Sequence, residues 1–553
     1  MAKYVFVSDT TLSHEYSNFP LLDFLPCAPS GAVPRLIYDF LKGKAPPTRT
    51  GRAFSSPYAL RKLEAALLRQ HTPEEVVIAH DKYVERFVKQ DTEIIGVYTM
   101  DPLGIAPLTL SYATLFDDVS KPWVRIEFEK LIARLNRARR GTKAKLVVGG
   151  AGVWELASMP EMMDKLGIDY AFQGEADDII NELLQDLADG SVYNNEYFRG
   201  FQWFDEGFHK VWVTHDKFIT RRKSAKQFPT LDDIPLIQSP SIKGLVEVMR
   251  GCGIGCDFCE VTLRPIRYYA PEQVAKEVTV NASAGTTNAW LHSDEIFAYE
   301  HGPHFTPNRE AIGDLFRTVM RVKGIEHSNP THGRISIPAG YPEIVGDVSK
   351  TTRAGPDHWI GCQVGVETGS ERLANIHMPN KTLPLKIGPD GSWHDIVMGG
   401  VVNMNKYYWR PAFTVQVGQL DETPEDNWET VALINKLSNM DVGGRPSEFT
   451  ITPMQNVPLG LIKTKGFSSR MLDESQLAVY YACYRHLTKI TVRDSMRDAQ
   501  GSIVRKALVS FVLSTGSYGL LHFIESICKK RGLDIEKVKR YGVADSEPIP
   551  VLA

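Results

Sequence analysis

The sequence predicts an α/β chain in three parts: an open parallel sheet with helices over residues 1–190, a partial (β/α)6 barrel over 241–460, and a helical C-terminal domain over 461–553, with 191–240 as a linker. Three observations carry this. Short apolar runs alternate with helix-period stretches through the first part. A second alternating series starts near residue 241, and beyond 460 apolar residues recur at helical spacing instead. The 553 residues exceed one ordinary domain, and 43% hydrophobic with 23% charged residues describes a soluble globular chain.

In the first part, Tyr4-Val5-Phe6-Val7-Ser8 is a short apolar strand. Leu60, Leu63, Leu67 and Leu68 then share a helical face after a Ser56-Pro57 start. Val76–Ala79 and Ile94–Tyr98 are further strands. A helix with Phe128, Leu131, Ile132 and Leu135 on one side leads to the strand Leu146–Gly150. The last unit is Asp169–Phe172, then Gly174-Glu175 and a helix carrying Ile179, Ile180, Leu183, Leu184 and Leu187. This pattern is an open, doubly wound, Rossmann-like sheet. Its ligands sit beyond the carboxyl ends of the strands where strand order reverses. The loops at those ends are Asp9-Thr10-Thr11, Thr99–Gly104 and Gly149-Gly150-Ala151-Gly152, whose small residues admit a ligand close to the backbone.

From 191 to 240 periodicity fades. Arg221-Arg222-Lys223, Phe228-Pro229 and Ile234-Pro235 read as an extended connection with a solvated basic triplet. The barrel strands are then Gly244–Val248, Ala289–Ser293, Gly333–Ile337, Trp359–Glu367, Ala412–Gly418 and Glu448–Thr452, a TIM-type arrangement that places chemistry at strand carboxyl ends. In the tail, Leu477, Tyr480, Tyr481 and Leu487 mark one apolar face, and Tyr518 and Phe523 are candidates to close the barrel over a substrate. Ala507–Ile524 contains no Asp, Glu, Lys or Arg. Its polar, glycine-rich centre, Ser514–Gly519, reads as a break between two buried helices, so no membrane span is expected.

A balance of 63 basic against 66 acidic residues, formal charge −3, gives no reason to expect nucleic acid. Met1–Val7 runs straight into a strand and lacks the apolar core and cleavage site of a secretory signal, so a cytoplasmic location is expected. Cys27, Cys362, Cys483 and Cys528 are scattered like buried thiols of a reducing compartment.

The remaining cysteines stand apart from these. Cys252-Gly253-Ile254-Gly255-Cys256-Asp257-Phe258-Cys259 has the spacing C-x3-C-x2-C at the end of the first barrel strand. Three thiolates on one short loop can hold three irons of a [4Fe–4S] cube and leave the fourth open to a small molecule. A structural zinc site wants four ligands, usually as two separated pairs, and no second C-x2-C occurs in the sequence.

This loop, with an aromatic residue before its last cysteine, resembles that of the radical S-adenosylmethionine (SAM) superfamily. The resemblance implies that the open iron is chelated by the amino and carboxylate groups of SAM, and that an electron from the cluster cleaves SAM to an adenosyl radical. It further implies metal ligands Cys252, Cys256 and Cys259, with Phe258 beside the SAM adenine. Asp294 and Glu295, in Ser293–Phe297, stand where the family receives the SAM amino group. Gly365–Ser370 is similar to the family's G-x-E-S-G-S stretch, which implies SAM contacts at Glu367 and Ser370. Glu367 also ends an otherwise apolar strand, where an unpaired carboxylate is costly. Gly418–Asp426 resembles the family's G-x-P-G-E-T loop but departs at Pro and Gly. Gly418 is carried over to SAM, while Glu425-Asp426 can equally begin the next helix.

The order of parts resembles the subgroup with an N-terminal cobalamin-binding domain, which implies that Thr10, Asp101, Leu103, Gly149, Gly150 and Gly174 surround cobalamin. No D-x-H-x-x-G sequence occurs, so the lower cobalt ligand stays open; His14 and His80 lie near strand ends. The implied cofactors are a [4Fe–4S] cluster, SAM and methylcobalamin. The implied activity is C-methylation of an unactivated sp3 carbon by a cobalamin-dependent methyltransferase. The Cys-x-Ile-Gly-Cys-x-Phe-Cys form and the helical tail look most like the methanogen enzymes that C-methylate methyl-coenzyme M reductase, nearest its glutamine C-methyltransferase. That implies a protein or peptide substrate, such as that reductase's alpha subunit, and a low-potential electron donor. Alternatives are a cyclase or methylase of an isoprenoid lipid or small molecule, and a non-catalytic iron–sulfur electron carrier. No catalytic residue beyond the cofactor ligands is assigned.

Overall fold

The computed structural model describes residues 2–14, 24–43, 45–191, 197–205, 209–221, 228–457, 472–498 and 502–541. The first five strands form where the apolar runs placed them: β1 (Tyr4–Ser8), β2 (Val76–Ile78), β3 (Ile94–Tyr98), β4 (Lys145–Gly149) and β5 (Tyr170–Gln173). Alternate side chains of β1 enter two cores. Val5 and Val7 join Phe128, Leu131 and Leu135 of the helix Trp123–Ala138. Tyr4 and Phe6 join Leu60 and Leu67 of the helix Tyr58–Leu67 and Leu183 and Leu187 of the helix Ile180–Asp189. Burial on both faces is the doubly wound arrangement, and it explains why these strands are apolar throughout.

The expected linker is partly folded. Besides β6 (Tyr197–Arg199) and β9 (Phe218–Arg221), which extend the same sheet, β7 (Phe201–Phe204) pairs with β8 (Lys210–Val213) in a hairpin. The complete order is β2-β1-β3-β4-β5-β9-β6. Every pairing is parallel except β6 with β9. Phe201, Trp203 and Phe218 are buried in the sheet's core, a run too short for a periodicity reading to register. Of the basic triplet, Arg221 is buried and its guanidinium forks onto Asp178 at 2.6 and 2.9 Å; Arg222 and Lys223 lie outside the described residues.

The barrel consists of two three-stranded parallel sheets, β10 (Leu245–Glu247), β13 (Asn288–His292), β14 (His327–Pro330) and β15 (Ile360–Glu367), β16 (Trp409–Val417), β17 (Thr450–Gln455). A parallel bridge between His332 and Gln363 joins them into six strands in sequential order. Between β10 and β13, β11 (Met249–Arg250) pairs antiparallel with β12 (Arg267–Tyr268). The third barrel strand is misplaced in the sequence reading. Gly333–Ile337 runs from coil into the helix Ser336–Gly340, and the strand is the preceding His327–Pro330. Ile335 and Ile337 are buried but not extended, whereas His-Ser-Asn-Pro carries no β-former to reveal it.

Beyond the barrel, Glu474–Asp498 and Ile503–Arg531 pack as long helices, followed by Ile535–Arg540. The expected break at Ser514–Gly519 does not occur, and Ile503–Arg531 is one continuous helix. A glycine inside a helix costs only about 1 kcal/mol, and the segment is tied to the preceding helix at Ser517, which is buried and whose carbonyl accepts from Thr488 Oγ1 at 3.2 Å. Nor is this helix mostly buried. Among the described residues it alone is long and apolar enough to cross a membrane by length and composition. Tyr518 is exposed on its outer side, so it does not close the barrel, while Phe523 packs edge-on against Phe116.

Candidate active site

Strand β10 delivers the cysteine loop at its carboxyl end, and β11 with β12 forms the stem. Gly251 has φ +80°, and a Cβ there would lie 2.6 Å from the Pro265 carbonyl, so only glycine fits the turn into Cys252. The Gly251 N–H donates to Asp294 Oδ2 at 2.7 Å. Cys252, Cys256 and Cys259 are free of disulfides. Burial pushes the Cys256 thiol up to about 11 and that of Cys259 to about 12, so thiolates here need a compensating cation.

A second segment embraces this loop. His377 ends the helix Glu371–His377. Its Nδ1 meets Asp257 Oδ2 at 2.8 Å and its Nε2 meets the Leu420 carbonyl at 2.7 Å, while its own carbonyl accepts from Asp257 N–H at 3.1 Å. With an acceptor on each ring nitrogen, His377 is held as imidazolium. Burial opposes the charge, but the Asp257 carboxylate and the Leu420 carbonyl outweigh it and raise the ring's pKa. Asn380 Nδ2 donates to the Ile254 carbonyl at 3.0 Å. Lys381 follows, and its Nζ donates to Glu367 Oε1 at 3.1 Å. Burial would discharge Lys381, yet Glu367 first, then Cys256 and Cys259, hold its pKa above the ordinary value.

Glu367 ends β15 at an irregularity in register and has φ +64°, an unusual backbone for a non-glycine residue. Its carboxylate is shared by Lys381, Thr414 Oγ1 at 3.2 Å and Gln416 Nε2 at 3.1 Å. Gln416 Oε1 is buried without a partner. Phe258, Gln416, Met454, Asn456 and, from the N-terminal domain, Pro107 line a common cavity.

The other sequence-predicted SAM residues divide. Asp294 faces the cysteine-loop stem, whereas Glu295 is buried in an ion pair with Arg334 Nε at 2.8 Å and also accepts the Phe297 and Arg334 N–H groups. Ser370 caps its helix and donates to Asp426. Asp426 belongs to a capping box opening the helix Pro424–Asn439, as the helix-start reading had it. Burial opposes ionisation of Asp426, but Arg372 and Ser370 bring its pKa down to about 2. The Gly418 N–H is taken by Glu422 Oε2 at 2.8 Å.

In the N-terminal domain strand order reverses between β1 and β3, so the loops after them open the crevice. Several predicted cobalamin residues are engaged internally there. Thr10 Oγ1 donates to Glu127 at 3.3 Å. Asp101 accepts from Ile105 and Ala106 N–H and from the Thr109 hydroxyl. Leu103 N–H donates at 2.8 Å to Glu155, a fully buried acid whose pKa burial and then Asp101 raise strongly. Gly150 has φ +105°, and its Cβ would strike the Thr99 carbonyl at 2.6 Å, so its smallness serves the chain's own turn; Gly149 faces open space. Gly174 has φ +121°. His14 and His80 lie with ring centroids 6.4 Å apart, and His80 Nε2 meets the Ala45 carbonyl.

The residue after Gly174 forms a link that sequence reasoning missed. Arg250, two residues before Cys252, donates to Glu175 at 2.6 Å, Asp177 at 2.8 Å and Glu247 at 3.0 Å, and Arg267 donates to Glu175 at 2.6 Å. The carboxyl end of β5 is thereby fastened to the stem of the cysteine loop. His377, Lys381 and Glu155 were also missed, because each acquires its role only from distant partners.

Among the described residues no three His, Cys, Asp or Glu side chains gather to hold a single metal ion. A cubane poses a different geometric demand, since each thiolate binds a separate iron. Three free thiols on one loop, Cys256 buried and Cys252 and Cys259 half-buried, a neighbouring ammonium and an orphaned amide oxygen fit such a group.

No family model matches the chain. It is similar to tRNA-2-methylthio-N(6)-dimethylallyladenosine synthases. The one from Anoxybacillus flavithermus is 24% identical over 140 residues, 23% of this chain and 26% of that protein. The one from Orientia tsutsugamushi strain Boryong is 32% identical over 104 residues, 18% and 22%. The matches thus span about a quarter of those relatives' length. Among solved structures it is similar to the radical S-adenosylmethionine methyltransferase TsrM from Kitasatospora setae. With tryptophan substrate and the SAM analog aza-SAM bound, the TM-score is 0.49 at 14% identity over 83% of this chain and 75% of that one. With cobalamin and a [4Fe–4S] cluster bound, it is 0.47 at 14% identity over 83% and 77%.

Proposed function

We propose that this chain is a cobalamin-dependent radical SAM C-methyltransferase acting on an unactivated sp3 carbon. The observation that carries the reading is the cysteine loop: three free thiols spaced C-x3-C-x2-C at the mouth of a six-stranded parallel barrel. The carboxyl end of β5 meets it there, through Glu175 and Asp177 on Arg250, and Pro107, which opens the helix Pro107–Phe116 after β3, lines the cavity with Phe258. When bound, the cluster supplies the electron that cleaves SAM and cobalamin carries the methyl group.

The chain's residues divide the work. Cys252, Cys256 and Cys259 hold three irons. Asp294 and Glu367 offer carboxylates to the SAM ammonium, Phe258 lies beside the adenine, and Ser370 and Gly418 shape the adjoining turns. The loops carrying Thr10, Asp101, Leu103, Gly149, Gly150 and Gly174 surround cobalamin. Lys381 offsets negative charge at the thiolates, and enclosure between two domains keeps water from the reacting carbon.

The finer reading is that the substrate is a glutamine side chain in a protein, as in methyl-coenzyme M reductase, with reduction by a low-potential donor in the cytoplasm. It is supported by the form of the cysteine loop. Modification of tRNA, named for the curated relatives, is not carried over, because the matches are partial and the formal charge of −3 provides no excess for phosphates. The test is anaerobic incubation of reconstituted protein with SAM, cobalamin, a strong reductant and a glutamine peptide. A carbon-bound methyl on glutamine is expected. SAM cleavage without peptide methylation would count against the substrate, and no SAM cleavage would count against the class.

A further inference from the structure

The cysteine loop is braced differently on its two sides. Between Ile254 and Asp257 it is held by hydrogen bonds from Asn380 and His377, whereas the Cys252–Gly253 arc meets packed side chains. Gly253 has φ +67°, and a Cβ there would lie 2.7 Å from Ile266 Cδ1 and 3.3 Å from Phe305 Cζ. The tip of the Phe305 ring therefore rests on the backbone beside Cys252. Phe305, Cys252 and Ile266 are all half-buried and pack against the barrel core.

The segment that delivers this ring is strained. After the turn Ile296–Ala298 a tight loop is closed by the Gly302 N–H on the Thr306 carbonyl at 2.8 Å and by Asn308 Nδ2 on the Glu300 carbonyl at 3.2 Å. Within it Glu300, His304 and Phe305 have φ +48°, +52° and +58°. A left-handed backbone is costly for an aromatic residue, and such strain persists where the surroundings over-determine it, above all at functional sites. Here Pro303 and His304 are exposed, while Phe305 is turned inward and its ring is held by two further groups. His301 stacks on it, with centroids 4.5 Å apart and 24° between the planes. The Arg334 guanidinium lies 5.2 Å from its centroid, and Arg334 is itself fixed by Glu295 at 2.8 Å and the Leu383 carbonyl at 3.0 Å. Contacts thus run from buried Glu295 through Arg334 and Phe305 to the residue beside the first cysteine.

We propose that Phe305 is a positioning residue for the iron–sulfur cluster: it seats the Cys252–Gly253 arc and keeps water from the iron that Cys252 holds. The inference rests on the function proposed above and deepens it. A reduced cluster carries one more negative charge, which surrounding water stabilises, and solvent exposure is one of the factors that set a cluster's potential. An apolar ring over this arc lowers the potential and so favours release of the electron.

The test compares wild type, Phe305→Ala and Phe305→Leu as full-length protein reconstituted without oxygen. The midpoint potential is read by electron paramagnetic resonance, and cluster loss by the decay of visible absorption after admission of air. Phe305→Ala is expected to take up as much iron as wild type, with a higher potential and a decay about tenfold faster, as a loosened arc opens more often. Phe305→Leu keeps an apolar side chain and is expected to lie between the two, and it decides the question if the alanine variant does not fold. A potential and a decay rate equal to wild type, even with a lower urea midpoint, would overturn the inference and leave Phe305 a packing residue only. Failure of the underlying reading appears separately, as wild-type protein that takes up no iron–sulfur cluster.

Discussion

Arg250 is the residue whose replacement bears most directly on how the two domains are joined. In Arg250→Met the apolar stem of the side chain survives, but Glu175, Asp177 and Glu247 lose their shared cation. Arg267 still reaches Glu175 at 2.6 Å, so two of the three carboxylates are left without a strong partner. Breaking a buried pair by removing one side costs about 3–5 kcal/mol, a large part of the 5–15 kcal/mol that typically holds a domain folded. Urea denaturation should show a loss in that range. Arg250→Lys should fall between, since an ammonium replaces the charge but not the fork. A double-mutant cycle with Asp177→Asn should return a coupling of about 1 kcal/mol or more. An Arg250→Met protein within about 0.5 kcal/mol of wild type, the level of an inconsequential surface change, would refute the claim that this network joins the domains.

Three further outcomes follow from the site. His377 has a folded pKa raised above its unfolded value of about 6.5; its contribution to stability is therefore complete below that pH and lost as pH rises through the folded value, and His377→Asn should abolish this segment of the stability-versus-pH curve. Gly150→Ala, at φ +105° with a Cβ 2.6 Å from the Thr99 carbonyl, should lower stability by about 1–3 kcal/mol in thermal melts. Glu295→Gln should chiefly lower stability by loosening the buried Arg334 pair, whereas Glu367→Gln should weaken SAM binding measured by equilibrium dialysis; equal effects of the two on SAM binding would contradict the separate roles.

The parts of the fold legible in sequence are those with local signals. Strands β1 to β5 are buried on both faces and announce themselves as apolar runs, and the cysteine loop is a contiguous motif at a strand end. Strand β14, with the sequence His-Ser-Asn-Pro, was missed because its inward residues are polar and its outward ones small. The helix Ile503–Arg531 was divided because a serine- and glycine-rich centre reads as a break, although the backbone there stays helical and the Ser517 carbonyl accepts from Thr488 of the preceding helix. Glu295 and Glu367 look alike in sequence, yet one meets a buried arginine and the other a lysine beside the thiols. Lys381, His377 and Arg250 gain their importance only from partners far along the chain, which a single sequence does not pair.

The most direct measurement is oxygen-free purification with cobalamin, followed by a metal count and electron paramagnetic resonance of the reduced protein with and without SAM. Iron at about four per chain, stoichiometric cobalt and a cluster signal that changes when SAM is added are predicted. Zinc in place of iron, or an intact cluster whose signal ignores SAM, would contradict the account.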